Sequence, residues 1–243
     1  MLPVHRLLIL ACVASLAGCF AGRYDTDYAV SLAAYREAAV FAPLAVVPDE
    51  AAAGRVQMRL PKQFGRMRED DSMELRAKPP FLRNFPGFDQ AREVRLKAGG
   101  SEISVVVTVG VVAAGLRRHG EIEREILEQI RADEEFPKAD WQRGRAVAAV
   151  AGGPAVWDVL SLRGNQEFEI FTAGNVEQKK WDGACEIWVS ADPKQEFCVV
   201  IALRAAEAVV GSLELPPAEL VELIARTVAI IPSVEEKPAA EVP

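Results

Sequence analysis

Residues Ile103–Gly115 have the sequence ISVVVTVGVVAAG, an apolar run that is rich in β-branched side chains. Such side chains favour strands, because they pack well on a pleated surface. The run contains Ser104 and Thr108, and it is shorter than the roughly 20 residues that a membrane-spanning helix needs. A strand without regular polar alternation is covered on both faces. We therefore predict a central strand of a sheet that requires a covering layer on each side.

Further strands are predicted on both sides of this run. Residues 56–60 alternate apolar and polar side chains as far as Pro61, and a strand around Val94 and Leu96 precedes the turn KAGGSE (97–102). On the C-terminal side, apolar segments bounded by turn residues predict a series of antiparallel strands. These are RAVAAVA (145–151), AVWDVLSLRG (155–164), EFEIFTAG (167–174) and a hairpin that ends at Leu203.

Two segments have the period of an amphipathic helix. The first lies between Gly120 and Asp133, and its apolar residues are Ile122, Ile126, Leu127 and Ile130. The second begins at Pro217, which suits a first helical turn, and ends at Pro232; its apolar residues are Leu220, Leu223, Ile224, Val228 and Ile231. We therefore predict an α+β fold, a single domain in which α-helices cover both faces of an antiparallel β-sheet.

This domain is predicted to comprise residues 55–231. Residues 19–54 are rich in alanine and predict a tether with one helical patch around residues 28–41, which Pro43 and Pro48 terminate. Residues 232–243 (PSVEEKPAAEVP) combine proline and charge without an apolar period, and predict a disordered tail.

Residues 1–18 have the layout of a signal peptide. A weakly basic start is followed by the apolar stretch Leu7–Val13 and then by small residues up to Gly18. The tetrapeptide Leu16-Ala17-Gly18-Cys19 resembles the lipobox of bacterial lipoproteins, whose cysteine is acylated and becomes the first residue of the mature chain. The resemblance implies a lipid anchor on Cys19 in the bacterial cell envelope, with the domain facing the periplasm or the cell exterior. The alternative is an ordinary signal peptide in which Cys19 is incidental.

The folded part resembles the PsbP-like family, which includes the LpqN-like and DcrB-like envelope lipoproteins. The likeness lies in VQMRLPKQF (56–64), in AGGPAVWDVL (151–160) and in the terminal helix over residues 217–231. It implies an α/β/α sandwich, and a protein that assists or docks onto a larger assembly.

Two of the four cysteines remain once Cys12 leaves with the leader and Cys19 carries lipid. Cys185 and Cys198 flank a predicted turn at residues 191–194, and a turn centred near Asp192 and Pro193 would place them opposite each other. A cross-strand disulfide between them is predicted, which would stabilise the fold by roughly 3 kcal/mol. The alternative is two buried free thiols.

The negative charge of the chain disfavours nucleic acid and anionic membrane surfaces as partners. Its formal charge is 28 minus 35, or -7, and loss of Arg6 with the leader makes the mature chain -8. An acidic chain without a basic run is a poor candidate for nucleic acid or for an anionic membrane surface.

Recognisable catalytic motifs are missing from the sequence. The mature chain has one histidine, His119, which we place in a solvated surface loop, so a His-rich zinc site is excluded. No Gly-x-Ser-x-Gly or phosphate-binding glycine motif occurs, and Gly110, Gly115 and Gly120 fit close packing or turns better. The acidic RADEEF (131–136) lacks the pattern of a calcium loop. The carboxylates of the strands are expected on a solvent face, namely Glu167, Glu169, Glu186 and Glu196.

The sequence therefore predicts no catalytic residue, no metal site and no cofactor. The favoured hypothesis is a lipid-anchored, non-catalytic interaction module that serves an envelope assembly, with an envelope protein as its partner. A carrier or sensor of an apolar ligand is the second hypothesis, and it requires an enclosed apolar pocket. An envelope enzyme is the third, and convergent carboxylates beside a cleft would favour it.

Overall fold

The computed structural model describes residues 28–32, 35–36, 38–67, 73–150, 152–172, 175–191 and 195–232. The chain divides into two compact units, residues 1–42 and 43–243. In the first unit, residues 28–32, 35–36 and 38–40 are helical, where the sequence predicts a helical patch. The leader and Cys19 lie outside the described residues.

The described residues of the second unit form ten strands and four helices. The strands are β1 (Asp49–Ala51), β2 (Val56–Met58), β3 (Gly65–Arg66), β4 (Phe88–Ala98), β5 (Ser101–Ala113), β6 (Gln142–Ala146), β7 (Val156–Thr172), β8 (Asn175–Ser190), β9 (Phe197–Ala206) and β10 (Ala229–Ile230). The helices are α1 (Met73–Ala77), α2 (His119–Arg131), α3 (Glu207–Val210) and α4 (Pro217–Thr227). None of the described helices has the length and apolar character needed to cross a membrane.

The strands form two sheets. The larger has the order β3-β4-β5-β9-β8-β7-β6, and the smaller has the order β1-β2-β10. Every strand pairing among the described residues is antiparallel. The predicted class, a single α+β domain built on antiparallel sheet, is confirmed at this level.

Strand β5 is central to the larger sheet, as its sequence predicts. It pairs with β4 on one side and with β9 on the other, and residues 103–110 are all buried. The odd-numbered residues point to one face and the even-numbered residues to the other. The lack of polar alternation in ISVVVTVGVVAAG is therefore the result of burial on both faces.

Helix α2 covers one face of the sheet. Its residues Ile122, Ile126 and Ile130 are fully buried in a cluster with residues of four strands. The strand residues of this cluster are Val112 of β5, Leu160 and Leu162 of β7, Cys185, Ile187 and Val189 of β8, and Cys198, Val200 and Ala202 of β9. The predicted amphipathic helix is thus confirmed, and its apolar stripe faces the core.

The C-terminal helix ends earlier than its apolar period predicts. Helix α4 stops at Thr227, Val228 has an extended backbone, and β10 follows and pairs with β2. Val228 and Ile230 are buried from an extended segment instead of from a helical turn, and Ile231, which was predicted in the buried stripe, is exposed. Over only two or three residues, the apolar pattern of a strand cannot be distinguished from that of a helix in the sequence. The pairing with β2 favours the strand.

Three other boundaries differ from the sequence prediction. Segments 155–164 and 167–174 were predicted as separate strands, but one continuous strand, β7, covers most of both. Strand β6 lies at residues 142–146, ahead of most of RAVAAVA. Strand β1 precedes residue 55, the predicted start of the domain, and pairs with β2.

The β7–β8 hairpin bends back onto the sheet. Gly164 and Gly183 oppose each other in it, and a side chain at Gly183 would overlap the Phe168 ring. Beyond this bend, Ile170 of β7 pairs with Ile103 of β5. The pairings β5–β9, β9–β8, β8–β7 and β7–β5 therefore form a closed circuit of strands.

Gly110 provides a test of the packing on β5. A methyl group at this position would overlap the carbonyl oxygen of Pro86 and lie 2.9 Å from the Phe85 ring, where the loop before β4 crosses β5. We expect Gly110→Ala to lower the free energy of unfolding by about 1–3 kcal/mol, because a packed backbone cannot move away cheaply. Urea unfolding followed by circular dichroism measures the change.

Gly115→Ala is the matched control. Nothing lies within 4 Å of an added Cβ at Gly115, so its effect should stay within about 0.5 kcal/mol. Equal stability losses in the two variants would show that the close approach at Gly110 does not constrain the fold.

Candidate functional site

A bulge in β6 places two hydrogen-bond donors, from Arg143 and Gly144, beside the carboxylate of Asp158. Gln142 pairs with Val159 and Arg145 with Trp157, so that Arg143 and Gly144 together oppose Asp158. Gly144 has a φ of +70°, which is costly for any other residue type. Its N–H donates to Asp158 Oδ1 at 2.6 Å, and Arg143 Nη1 donates to Asp158 Oδ2 at 2.9 Å. The bulge in the edge strand β6 therefore fixes the side chain of Asp158 on the adjacent strand β7.

The first turn of α2 adds a histidine and a second carboxylate. His119 and Glu123 are one helical turn apart, and His119 Nε2 lies 3.0 Å from Glu123 Oε1 and 3.3 Å from Asp158 Oδ2. Arg143 also donates to Glu123, whose side chain is only 5% exposed. We call His119, Glu123, Arg143 and Asp158 the charged network. It contains two carboxylates and, with His119 protonated, two cations.

Opposing effects set the pKa values in this network. Burial is the largest influence on His119 and lowers its pKa, but the hydrogen bonds to Cys198 and Glu123 and the charge of Glu123 raise the pKa to about 10. Burial likewise raises the pKa of Asp158, but hydrogen bonds from its neighbours, including Gly144, Arg143 and His119, lower it to about 2. Both groups are therefore charged at neutral pH.

The other ring nitrogen of His119 faces a thiol. Its Nδ1 atom lies 3.7 Å from Cys198 Sγ, and this sulfur also lies 3.8 Å from the Ser190 carbonyl oxygen. His119 and Cys198 both line a cleft of about 320 Å³ that opens to the surface, which we call the Cys198 cleft. Arg117, Arg118 and Phe197 line it as well. The network thus connects a carboxylate pair, through a histidine, to a sulfur atom beside a cleft.

The same residues resemble a metal site in their composition. His119, Glu123 and Asp158 each place one possible ligand atom within 4.8 Å of the others, and three such ligands suit a transition metal. However, the guanidinium of Arg143 already hydrogen-bonds both carboxylates. A metal would have to displace this cation and deprotonate His119, so the residues fit an ion-pair network better than a metal centre.

The predicted disulfide is wrong in this structure. Cys185 and Cys198 are both free and buried, and the β8–β9 register places Cys185 opposite Arg204 instead of Cys198. The prediction depended on a turn centred near Asp192 and Pro193, whereas the observed register sets Val189 opposite Val200. The alternative of two buried free thiols is the one that the structure shows.

The predicted environment of several polar residues is also wrong. His119 was placed in a solvated loop, but it begins α2 and its side chain is only 23% exposed. Glu169 and Glu186 were expected on a solvent face, but both are buried, and burial raises the pKa of each. Glu186 accepts a hydrogen bond of 2.5 Å from Ser161, its partner across β7 and β8.

Two features of the sequence indicate the charged network. His119 and Glu123 are spaced four apart in a predicted helix, and Asp158 is the one charged residue in the apolar segment AVWDVLSL (155–162). A lone carboxylate in an apolar strand predicts a buried partner. The contributions of Arg143 and Cys198 come from other strands and have no local signal.

A second concave surface lies at the other end of α2. It is a groove of about 470 Å³ whose lining includes Phe81, Phe136, Asp133, Glu134, Glu135 and Glu167, and we call it the acidic groove. The rings of Phe81 and Phe136 meet edge to face at 5.3 Å. Lys180 is the one cation among the described residues that line it. A further cavity of about 310 Å³ shares Pro80, Phe81 and Asp133 with it and extends the concave surface.

Gln166 lies in the wall of this groove. Its side chain is 3% exposed, and its Nε2 donates to the Gly183 carbonyl oxygen at 3.2 Å. Its Oε1 has no hydrogen-bond partner among the described residues. The groove therefore combines negative charge with two aromatic side chains, and a buried amide oxygen without a partner in the described part of the chain lies in its wall.

The raised pKa of His119 makes stability depend on pH in a defined direction. Its folded pKa of about 10 exceeds its ordinary value of 6.5, so its stabilising effect is complete below pH 6.5 and disappears as the pH rises through 10. We expect His119→Gln to cost about 2 kcal/mol near pH 6, where charged hydrogen bonds are lost, and much less near pH 10. Urea unfolding of both proteins across this pH range measures the difference.

The exposed Arg124 on the same helix supplies the control. Its side chain is 70% exposed, so Arg124→Gln should give a small difference that hardly changes with pH. A His119→Gln effect that stayed constant or grew with pH would contradict the assigned charge of His119.

Comparisons with known proteins leave the family open. No family model matches the chain, and no curated protein matches it. Among solved structures, it is similar to the Saccharomyces cerevisiae Ran-binding protein Mog1p, with 12% identity and a TM-score of 0.41 over 76% of this chain and 94% of that one. A point mutant of Mog1 gives 11% identity and a TM-score of 0.38 over 76% and 96% of the two chains. Likeness at this level supports no assignment of family or function.

Proposed function

We propose that this protein is a bacterial envelope lipoprotein, anchored through acylated Cys19, whose domain binds another envelope protein without catalysing a reaction. The anchor is supported by the tetrapeptide LAGC behind a short apolar leader. Binding is supported by the acidic groove, and this groove is the single observation on which the partner's chemistry rests.

The groove favours a partner segment with both charge and apolar surface. Its carboxylates, Asp133, Glu134, Glu135 and Glu167, attract Lys or Arg, and the apolar stem of such a side chain can lie on Phe81 and Phe136. The overall negative charge of the chain adds long-range attraction to a basic partner.

We also infer that helices lie over both faces of the larger sheet, as in the PsbP-like sandwich that the sequence resembles. Val199, Ile201 and Leu203 of β9 are fully buried but lie outside the cluster that α2 covers. Helix α4 contacts both β8 and β9, and its residues Leu220, Val221 and Ile224 are fully buried. Placement of α4 over this second face would explain both observations.

The anchor can be tested at Cys19. We expect Cys19→Ala to abolish incorporation of labelled palmitate and to leave an uncleaved, slower-migrating precursor, because the acylated sulfur is removed. Cys12→Ala, within the leader, is the matched control and should be acylated and processed normally. A Cys19→Ala protein that is cleaved and fractionates with membranes like the wild type would refute the lipoprotein proposal.

The groove can be tested with a photo-crosslinking amino acid at position 134 in intact cells. We expect a reproducible crosslink to one envelope protein, at a peptide that contains Lys or Arg. Reversal of the groove charge by Glu134→Lys with Glu167→Lys should reduce binding of that partner by roughly tenfold or more, because like charges then face each other. Crosslinking yield and the Kd of the purified pair are the measurements.

A double variant outside the groove changes the net charge of the chain by the same amount as the groove variant and serves as its control. Glu207 and Glu219 are exposed and line none of the described cavities, so Glu207→Lys with Glu219→Lys should leave the Kd unchanged. If both double variants lost affinity for the partner equally, the effect would come from the overall charge of the chain and not from the groove. No crosslink at position 134 would place the partner elsewhere.

A further inference from the structure

The two free thiols of the domain have different surroundings. Cys185 is completely buried, lies opposite Leu162 within the apolar core, and burial raises the pKa of its thiol. Cys198 is also largely buried, but it forms part of the wall of the Cys198 cleft and contacts His119. A reagent in solution can therefore approach Cys198 through the cleft, whereas Cys185 is enclosed.

The contacts of His119 have the pattern of an activated nucleophile. A nucleophile, a base within reach of it, and a third group that orients the base form the general arrangement. Here Cys198 Sγ lies 3.7 Å from His119 Nδ1, while Glu123 and Asp158 hold His119 Nε2 at 3.0 and 3.3 Å. The carboxylates keep the histidine protonated, and a protonated imidazole favours a thiolate beside it.

The cleft itself favours anions. Arg117, Arg118 and His119 line it, and no carboxylate is among the described residues that do so. Arg117 is paired with Glu125, and Glu121 accepts the Arg118 backbone N–H, but Arg118 remains exposed beside the cleft. The cleft also lies at the N-terminus of α2, where the helix dipole is positive.

We propose that Cys198 is a reactive thiol that exchanges with small anionic disulfides, with His119 as proton donor and with Glu123 and Asp158 as positioning residues. The Cys198 thiolate bonds to one sulfur of the disulfide, and the S–S bond of the reagent breaks. Its electron pair leaves on the second sulfur, which takes the proton from His119 Nδ1. Cys198 is oxidised to a mixed disulfide, and one molecule of small thiol is released.

This reaction is a modification of the protein and is independent of the proposed partner. It places a bulky anionic group in the Cys198 cleft, on β9 and next to the first turn of α2. The acidic groove lies near the C-terminal end of the same helix.

The first test compares the two cysteines within one folded protein. The full chain is treated with iodoacetamide near pH 6.5, and labelling at each cysteine is followed by mass spectrometry of its peptides. We expect Cys198 to react at least about tenfold faster than Cys185, because Cys198 lines a cleft beside His119, whereas Cys185 is enclosed in the core. Equal slow rates would overturn the proposal.

The second test isolates His119. His119→Gln should slow labelling of Cys198 by about tenfold near pH 6.5 and move the midpoint of its pH profile upward. Thermal unfolding and the labelling of Cys185 report whether the variant is folded. If Cys198 in a folded His119→Gln protein retained the wild-type rate and pH profile, His119 would have no role in its reactivity.

The third test addresses the charge of the reagent. The dianionic disulfide 5,5′-dithiobis(2-nitrobenzoic acid) should react faster than the cationic disulfide cystamine, each relative to its rate with a free small thiol. The preference should shrink as salt is raised, because exposed charges are screened beyond about 10 Å at 0.1 M. If the two disulfides reacted at equal relative rates, the proposed preference of the cleft for anionic reagents would be refuted.

Discussion

The burial of β5 on both faces is the constraint that the rest of the domain satisfies. A strand with eight consecutive buried residues, 103–110, must pair along both edges and be covered above and below. The edges are occupied by β4 and β9, and the closed circuit through β8 and β7 provides a further pairing at the start of β5. Gly110 allows the loop before β4 to cross this strand at contact distance.

The periodic parts of the fold could be predicted from the sequence, because local patterns report burial. The apolar run of β5 and the apolar stripe of α2 each indicate which faces of the element are buried. The extent of α4 was overestimated, because Val228 and Ile231 continue the helical stripe in sequence, whereas the fold buries Val228 and Ile230 from an extended segment. The choice between these conformations depends on β2, which is distant in sequence.

The candidate site could not be predicted, for a related reason. A disulfide between Cys185 and Cys198 required a particular register, and register follows from pairing along the whole of β8 and β9. The charged network combines the first turn of α2, a bulge in β6, an Asp in β7 and a Cys in β9. Composition suggested an isolated, solvated histidine. In the fold, the same histidine is half-buried between two carboxylates and a sulfur atom.

The pairing of β10 with β2 has a consequence for how the chain folds. Val56 and Ile230 are partners, although 174 residues (230 minus 56) separate them in sequence. Contacts between distant residues are made late and slowly, because a long loop must close first. The smaller sheet is therefore incomplete until β10 has been synthesised, and a growing chain remains without this closure.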